Sequence, residues 1–202
     1  MIKAVIFDIG AVLIQFDFMR YLCGMYDEKT AQTVYDAMWG TEAWHELDRG
    51  DFSQERVLEM FTGNAPAYAE QIRQAFFRVG ECPRRQPYAI PWVDELKAKG
   101  YQVYFLSNYF PYLIEKCPQV LDFIPHMDGG VFSYQEKITK PAAEIYQRLM
   151  QRYGLQPEEC VFIDDSQINI DAANALGLHA FRFESYEKQY PEVMGFLAEQ
   201  TK

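Results

Sequence analysis

Three short apolar runs in this chain end in polar residues suited to handling a charged oxygen-rich group. Asp8 closes the run Ala4-Val5-Ile6-Phe7, Ser107-Asn108 closes residues 101–106, and Asp164-Asp165 closes Val161-Phe162-Ile163. If the three runs are neighbouring parallel strands, these groups fall on one edge of a sheet, where open α/β folds bind ligands. Three carboxylates placed together cannot all stay ionised without a cation between them. Magnesium suits such a set, because it takes hard oxygen ligands and is held by one or two carboxylates together with a substrate phosphate. The ion would offset the repulsion between a phosphate dianion and an attacking carboxylate. Lys140 adds a fixed positive charge, and the Ser107 hydroxyl can donate to phosphoryl oxygens. Each residue also has a plainer reading. Asp8 can serve a turn, Asp164-Asp165-Ser166 or Ser107-Asn108 can begin a helix, and Lys140 alone reads as a solvated charge. The chemical reading rests on their occurring together and in order.

The elements needed to position these residues are visible in the hydropathy pattern. Residues 2–7 read as a buried strand, followed by a turn and a second extended piece at 12–14. Residues 18–77 have helical periodicity with turns at Arg49-Gly50-Asp51 and Gly63-Asn64-Ala65-Pro66, which predicts a bundle of helices. Past the proline-rich stretch 83–91, strands and helices alternate: a helix over 92–99 stopped by Gly100, a strand over 101–106, and a helix over 111–121. Val131-Phe132, Val161-Phe162-Ile163 and residues 180–183 read as further strands. A helix begins at Pro141 and ends at Gly154, and another spans 168–176. This alternation implies parallel strands joined by right-handed crossovers. The expected fold is α/β, a doubly wound parallel sheet formed by residues 1–15 and 88–202, with an inserted helical cap at 16–87 hinged near 15–18 and 83–91.

Composition narrows the partners. The 202 residues carry 29 acidic and 19 basic side chains, a net charge of -10, with no basic stripe of the kind that follows a nucleic-acid backbone. The four cysteines, Cys23, Cys82, Cys117 and Cys160, are scattered, and with three histidines they form no zinc-binding spacing. Reduced thiols and a cytoplasmic protein are expected. The apolar start of the chain is too short for a signal segment or a membrane span. No internal repeat is present.

The runs Ile6-Phe7-Asp8-Ile9-Gly10-Ala11-Val12-Leu13, Leu106-Ser107-Asn108, Lys140-Pro141 and Val161-Phe162-Ile163-Asp164-Asp165-Ser166 resemble, in order, the four motifs of the haloacid dehalogenase superfamily. The segment Glu42-Ala43-Trp44-His45-Glu46-Leu47-Asp48-Arg49-Gly50 and the Asp-x-Gly form of the first motif are similar to its bacterial glucose 1-phosphate phosphatase-like subgroup. The resemblance implies a magnesium-dependent phosphatase of a small phosphorylated metabolite, a sugar phosphate, working through an aspartyl-phosphate. It makes Asp8 the nucleophile, with Lys140 restraining it, and Ser107, Asn108 and Lys140 binders of the phosphoryl group. It makes Asp8, Asp165, Asp164 (directly or indirectly) and the Gly10 carbonyl the magnesium ligands. Asn169 stands where relatives carry another acid.

Gly10 departs from the family, in which most phosphatases have a second Asp that protonates the leaving oxygen, help worth roughly 10²- to 10⁴-fold. The departure implies a slow enzyme, a leaving group needing little protonation, or a group recruited from elsewhere, such as His45 of the cap and less readily Asp17. Two rival readings stand beside this one. A dehalogenase uses the same nucleophile without metal, and a non-catalytic phospho-ligand sensor would need no acid at position 10.

Overall fold

The computed structural model of the chain describes residues 1–200. Its elements run β1 (Ala4–Phe7), β2 (Ile14–Gln15), α1 (Phe18–Cys23), α2 (Glu28–Met38), α3 (Glu42–Arg49), α4 (Gln54–Asn64), α5 (Ala69–Phe77) and β3 (Arg84–Arg85) in the first half. The second half runs α6 (Ala89–Ala98), β4 (Gln102–Ser107), α7 (Pro111–Lys116), β5 (Gly129–Phe132), α8 (Ser133–Glu136), α9 (Ala143–Tyr153), β6 (Cys160–Asp164), α10 (Gln167–Ala175), β7 (His179–Arg182) and α11 (Tyr186–Glu199).

Five strands form one parallel sheet in the order β5-β4-β1-β6-β7. β1 is central and buried on both faces, so its four residues are all apolar and alternate between two cores. Val5 and Phe7 face a core shared with Val103, Val161 and Trp92 of α6, where the Phe7 and Trp92 rings meet edge to face at 4.8 Å. Ala4 and Ile6 face the opposite core with Phe162, Ile145 and Tyr146 of α9, and Ala173 of α10. The sheet is therefore wound on both sides, as the strand and helix alternation predicts.

The helical block lies between β2 and β3, which pair antiparallel (Ile14 with Arg85, Gln15 with Arg84) as a short ribbon outside the main sheet. Four of its helices open on side-chain caps: Asp17, Asp27, Thr41 and Ser53 each accept a hydrogen bond from a backbone N–H three residues on. α3 stops at Gly50, whose φ of 68° is the left-handed conformation that glycine adopts without strain. Its aromatic core is built on Phe18, Trp39 and Trp44, with the Trp39 and Trp44 rings 4.8 Å apart. α3 is fastened to the sheet side through α8. Ser133 Oγ accepts from the Tyr109 N–H at 3.0 Å and donates to the Asp48 carbonyl at 2.5 Å, and Lys137 Nζ donates to the Gly50 carbonyl.

Several boundaries differ from the sequence expectation. The helix expected over 111–121 breaks at Lys116, because Pro118 lacks an N–H and its ring obstructs the preceding turn, and it resumes as one 3₁₀ turn over Pro118–Leu121. The helix expected from Pro141 begins at Ala143, since Thr139 to Ala142 form a turn closed by the Ala142 N–H on the Thr139 carbonyl at 3.0 Å. The extended piece at 12–14 is mostly turn, with only Ile14 and Gln15 in a strand. Three elements have no counterpart in the sequence pattern: β3, whose two exposed arginines carry no strand signal, the four-residue α8, and α11, which contains Pro191.

Among the described residues no helix is long and apolar enough to cross a membrane. The cysteines in the described residues form no disulfide.

One glycine holds the β4 and β5 pair in register. A Cβ on Gly130 would lie 2.3 Å from the Phe105 ring that covers it. Gly130→Ala is expected to lower stability by about 1–3 kcal/mol through overpacking, measured by urea unfolding against the parent chain.

Candidate active site

β1, β4 and β6 lie side by side, so Asp8, Ser107 and Asp164 emerge at one edge of the sheet, where the chain leaves β1 to either side. The ladder extends one residue past β1, with the Asp8 N–H donating to the Ile163 carbonyl at 2.8 Å. The chain then turns sharply. Leu13 and Ile14 N–H groups both donate to the Ile9 carbonyl, at 2.9 and 3.0 Å, and Ala11 takes a φ of 57°. This turn exposes Gly10 and Ala11 to a cavity of about 280 Å³ beside Asp8.

Asp8 is 8% exposed. Its Oδ1 accepts from the Ile9 N–H at 2.7 Å and pairs with Lys140 Nζ at 2.9 Å, while Oδ2 has no hydrogen bond among the described residues. The Lys140 ammonium also donates to Asp164 Oδ2 at 2.6 Å and lies 5.6 Å from the centre of the Phe162 ring. Asp164 is fully buried and heavily engaged: the Ser166 N–H donates to Oδ1 at 2.9 Å, and Asn169 Nδ2 reaches Oδ1 and Oδ2 at 3.0 and 3.1 Å. Asp165 is partly exposed and lines the cavity. One oxygen from each of Asp8, Asp164 and Asp165 lies within 4.8 Å of the others.

Three carboxylates around one ammonium leave an excess of negative charge. Burial, reinforced by Asp164 and Asp165 and opposed by Lys140, pushes the Asp8 carboxyl up to about 7. Burial and Asp164 raise Asp165 as well. Burial on its own would lower the Lys140 ammonium, but the Asp8 and Asp164 carboxylates outweigh it and raise it, so Lys140 is charged. The donor set is entirely hard oxygen, short of positive charge and open to the cavity through Asp8 and Asp165, which fits a divalent cation of the magnesium kind.

The structure brings together Asp8, Gly10, Lys140, Asp164 and Asp165. It gives other expected residues different surroundings. Ser107 is 1% exposed, and its buried Oγ has no hydrogen-bond partner, an orphan donor near the sheet edge. Asn108 borders the cavity, but both of its polar atoms are committed to the main chain of Lys140: Oδ1 accepts from the N–H at 2.8 Å and Nδ2 donates to the carbonyl at 3.0 Å. Asn108 thereby holds the main chain of Lys140 while bordering the cavity. His45 is exposed on α3 and does not line the cavity; that helix presents Trp44 and Asp48 to it instead. Asp17 caps α1 through its Oδ1, away from the cavity. Asp48, Phe16, Trp39 and Phe110 line the cavity and were not read from sequence as site residues. For Asp48 the usable signal was its spacing of four from Trp44, which puts both on one side of α3.

The family model for haloacid dehalogenase-like hydrolases matches residues 2–177. The chain belongs to this family. It is 27% identical to a D-ribitol-5-phosphate phosphatase of Bacteroides thetaiotaomicron, over 92% of this chain and 93% of that one. It is 23% identical to a sesquiterpene phosphatase of Aspergillus oryzae, over 87% of both chains. It also matches acyl-CoA dehydrogenase family member 10 of Mus musculus at 28% identity over 76% of this chain, but spans only 15% of that protein's length. Two solved structures share the fold. A predicted member of the family from Porphyromonas gingivalis superposes with a TM-score of 0.75 at 22% identity, covering 98% of both chains. An enzyme of the family from Bacteroides thetaiotaomicron, in complex with magnesium and inorganic phosphate, superposes with a TM-score of 0.69 at 20% identity, covering 91% of this chain and 95% of that one.

Breaking the buried ion pairs should be costly. Lys140→Met keeps the volume of the side chain but leaves Asp8 and Asp164 unpaired, with an expected loss of about 3–5 kcal/mol at pH 8. The loss should shrink toward pH 5, where the Asp8 carboxyl, pushed up to about 7 chiefly by burial, is protonated and one of the stranded charges is gone. Urea unfolding at the two pH values measures both quantities.

Proposed function

We propose that this haloacid dehalogenase-like hydrolase is a magnesium-dependent phosphatase of small phosphorylated metabolites, with Asp8 as its nucleophile. The observation that carries the proposal is the placement of Asp8 at the cavity mouth within reach of Asp164, Asp165 and Lys140, with one carboxylate oxygen tethered and the other unengaged. Asp8, Asp165 and, at the back of the site, Asp164 would hold the ion, together with the carbonyl of Gly10. Bound there, a divalent cation supplies the positive charge that lets a phosphate dianion approach a carboxylate. The magnesium and phosphate in the structurally similar Bacteroides thetaiotaomicron enzyme support this reading.

The chain's own groups divide the remaining work. Lys140 and the Ile9 N–H fix Oδ1, so the rotation of the Asp8 carboxylate is restricted and Oδ2 is directed at phosphorus. The Ser107 hydroxyl, buried and unpaired at the sheet edge, would meet a phosphoryl oxygen only after a side-chain shift that opens it to the cavity. Attack by Asp8 forms an O–P bond as the ester P–O bond breaks, the alcohol leaving with a proton. Water then attacks phosphorus, releases inorganic phosphate and regenerates the carboxylate. The dehalogenase reading is disfavoured by the cluster of acids around Asp8, which a metal-free mechanism does not require.

For the organic half of the substrate, the D-ribitol-5-phosphate phosphatase supports a sugar phosphate, and aromatic faces such as Trp39 and Trp44 can stack on a sugar. A second reading has a specific observation in its favour. Ile14, Phe16, Trp39, Trp44, Phe110 and Leu113 make up the apolar lining of the cavity and offer almost no hydrogen-bonding groups to hydroxyls. An apolar phosphate ester fits that lining, in keeping with the sesquiterpene phosphatase. Comparing kcat/KM for D-ribitol 5-phosphate with that for an isoprenoid monophosphate separates the two readings.

Two outcomes test the catalytic proposal. Asp8→Asn should lower magnesium-dependent phosphate release by a factor on the order of 10⁴ or more, followed as inorganic phosphate with and without chelator; unaltered release would end the proposal. The second outcome concerns metal binding without turnover. The Asp8 carboxyl lies at about 7 in the folded chain against an ordinary 3.8, so ionising it costs stability progressively as pH rises from about 4 to about 7. Only the ionised form binds the cation. The rise in Tm produced by magnesium should therefore be small at pH 5 and large at pH 8, and an equal rise at both would contradict the site.

A further inference from the structure

Gly10 offers no side chain, and no atom lies within 4 Å of where its Cβ would stand, so the floor of the cavity lacks a proton donor at that position. Among the residues lining the cavity, Asp8, Asp48 and Asp165 are the carboxylates, and no histidine is present. Asp8 and Asp165 belong to the nucleophile and cation cluster, whereas Asp48 lies outside it. We propose that Asp48, carried on α3, is the acid that protonates the leaving oxygen and then the base that receives a proton from the attacking water. This rests on the phosphatase reading above.

The placement of Asp48 supports the role. Its main chain is fixed from the sheet side by the Ser133 hydroxyl at 2.5 Å, and the Lys137 ammonium holds the carbonyl of Gly50 two residues later. The Cβ position of Gly50 lies 3.0 Å from Tyr134 Cβ, so the end of α3 is packed tightly on α8. Its side chain, by contrast, makes no hydrogen bond or ion pair among the described residues. The adjacent Arg49 is engaged with Glu42, Glu46 and Asp51. A carboxyl held at its root and unpartnered at its tip, lining the same cavity as Asp8, is available to an oxygen departing from phosphorus.

The charged surroundings favour a protonated resting form. Burial, and next the Asp8 carboxylate, raise the Asp48 carboxyl to about 7, with Lys140 opposing. Asp165 also lines the cavity, and Lys137 approaches from α8 but is taken up by the Gly50 carbonyl. In the first step the Asp48 O–H proton passes to the ester oxygen as its bond to phosphorus breaks, and the alcohol leaves neutral. In the second step the Asp48 carboxylate takes one proton from water as the water oxygen bonds to phosphorus, which restores the acid.

The test compares p-nitrophenyl phosphate, whose phenolate departs unaided, with benzyl phosphate, whose alkoxide requires a proton. For Asp48→Asn, kcat/KM, which counts steps only through formation of the aspartyl-phosphate, should fall by roughly 10²- to 10⁴-fold more for benzyl phosphate than for p-nitrophenyl phosphate. Release of p-nitrophenolate by the variant also certifies that it is folded. In Asp48→Asn, a further Gly10→Asp change should restore part of the lost benzyl phosphate activity. Equal losses on both substrates, or no loss on either, would overturn the assignment of Asp48. No phosphate release from either substrate by the parent enzyme would instead overturn the phosphatase reading itself.

Discussion

The Lys140 ammonium, with 1% of its side chain exposed, lies between the carboxylates that terminate β1 and β6. At such a depth an unpaired charge on any of the three groups is strongly unfavourable, so each requires the others. Asn108 fixes the Lys140 main chain from the end of β4, and Asn169 fixes Asp164 from α10. Four elements are thus tied at one point by groups that are largely withdrawn from water. The cluster remains short of one positive partner, and that shortage faces the cavity. The chemistry of the site follows from this incomplete neutralisation rather than from any single residue.

The sheet and the acid cluster were legible in the sequence for the same reason. A strand buried on both faces must be continuously apolar, so the polar residues ending it stand out, as Asp8, Ser107 and Asp164 do. Roles that depend on orientation were not legible. Asn108 sits in a family motif, yet its amide serves the Lys140 backbone 32 residues away, which no local pattern encodes. His45 attracts attention by its chemistry, but helix α3 is placed by contacts with α8, and those turn His45 to the surface. Asp48 was hidden in a charged run, where Glu46 and Arg49 look equivalent to it until the packing is known. Short or irregular elements were also missed: β3 consists of two exposed arginines that pair only because β2 lies alongside.

The two sides of the cavity are built on different principles. On the sheet side, strand ladders and buried ion pairs set atom positions to within the tolerance of hydrogen bonding. On the helical side, the surface is a set of aromatic rings at centroid distances of 4.8 to 6.2 Å, whose stacking is non-directional and tolerant of size changes.

The antiparallel pairing of Ile14–Gln15 with Arg84–Arg85 means that the chain departs from the sheet and returns to it at neighbouring points. Seen from the sheet, everything between is a hairpin, however long it is. Insertions or deletions among the helices change the entropy of closing that loop only logarithmically and leave the strand order untouched. The helical segment can accordingly be treated as an exchangeable cassette: its length and lining are free to diverge or be swapped, while the ribbon presents the same two ends to an unaltered reaction centre.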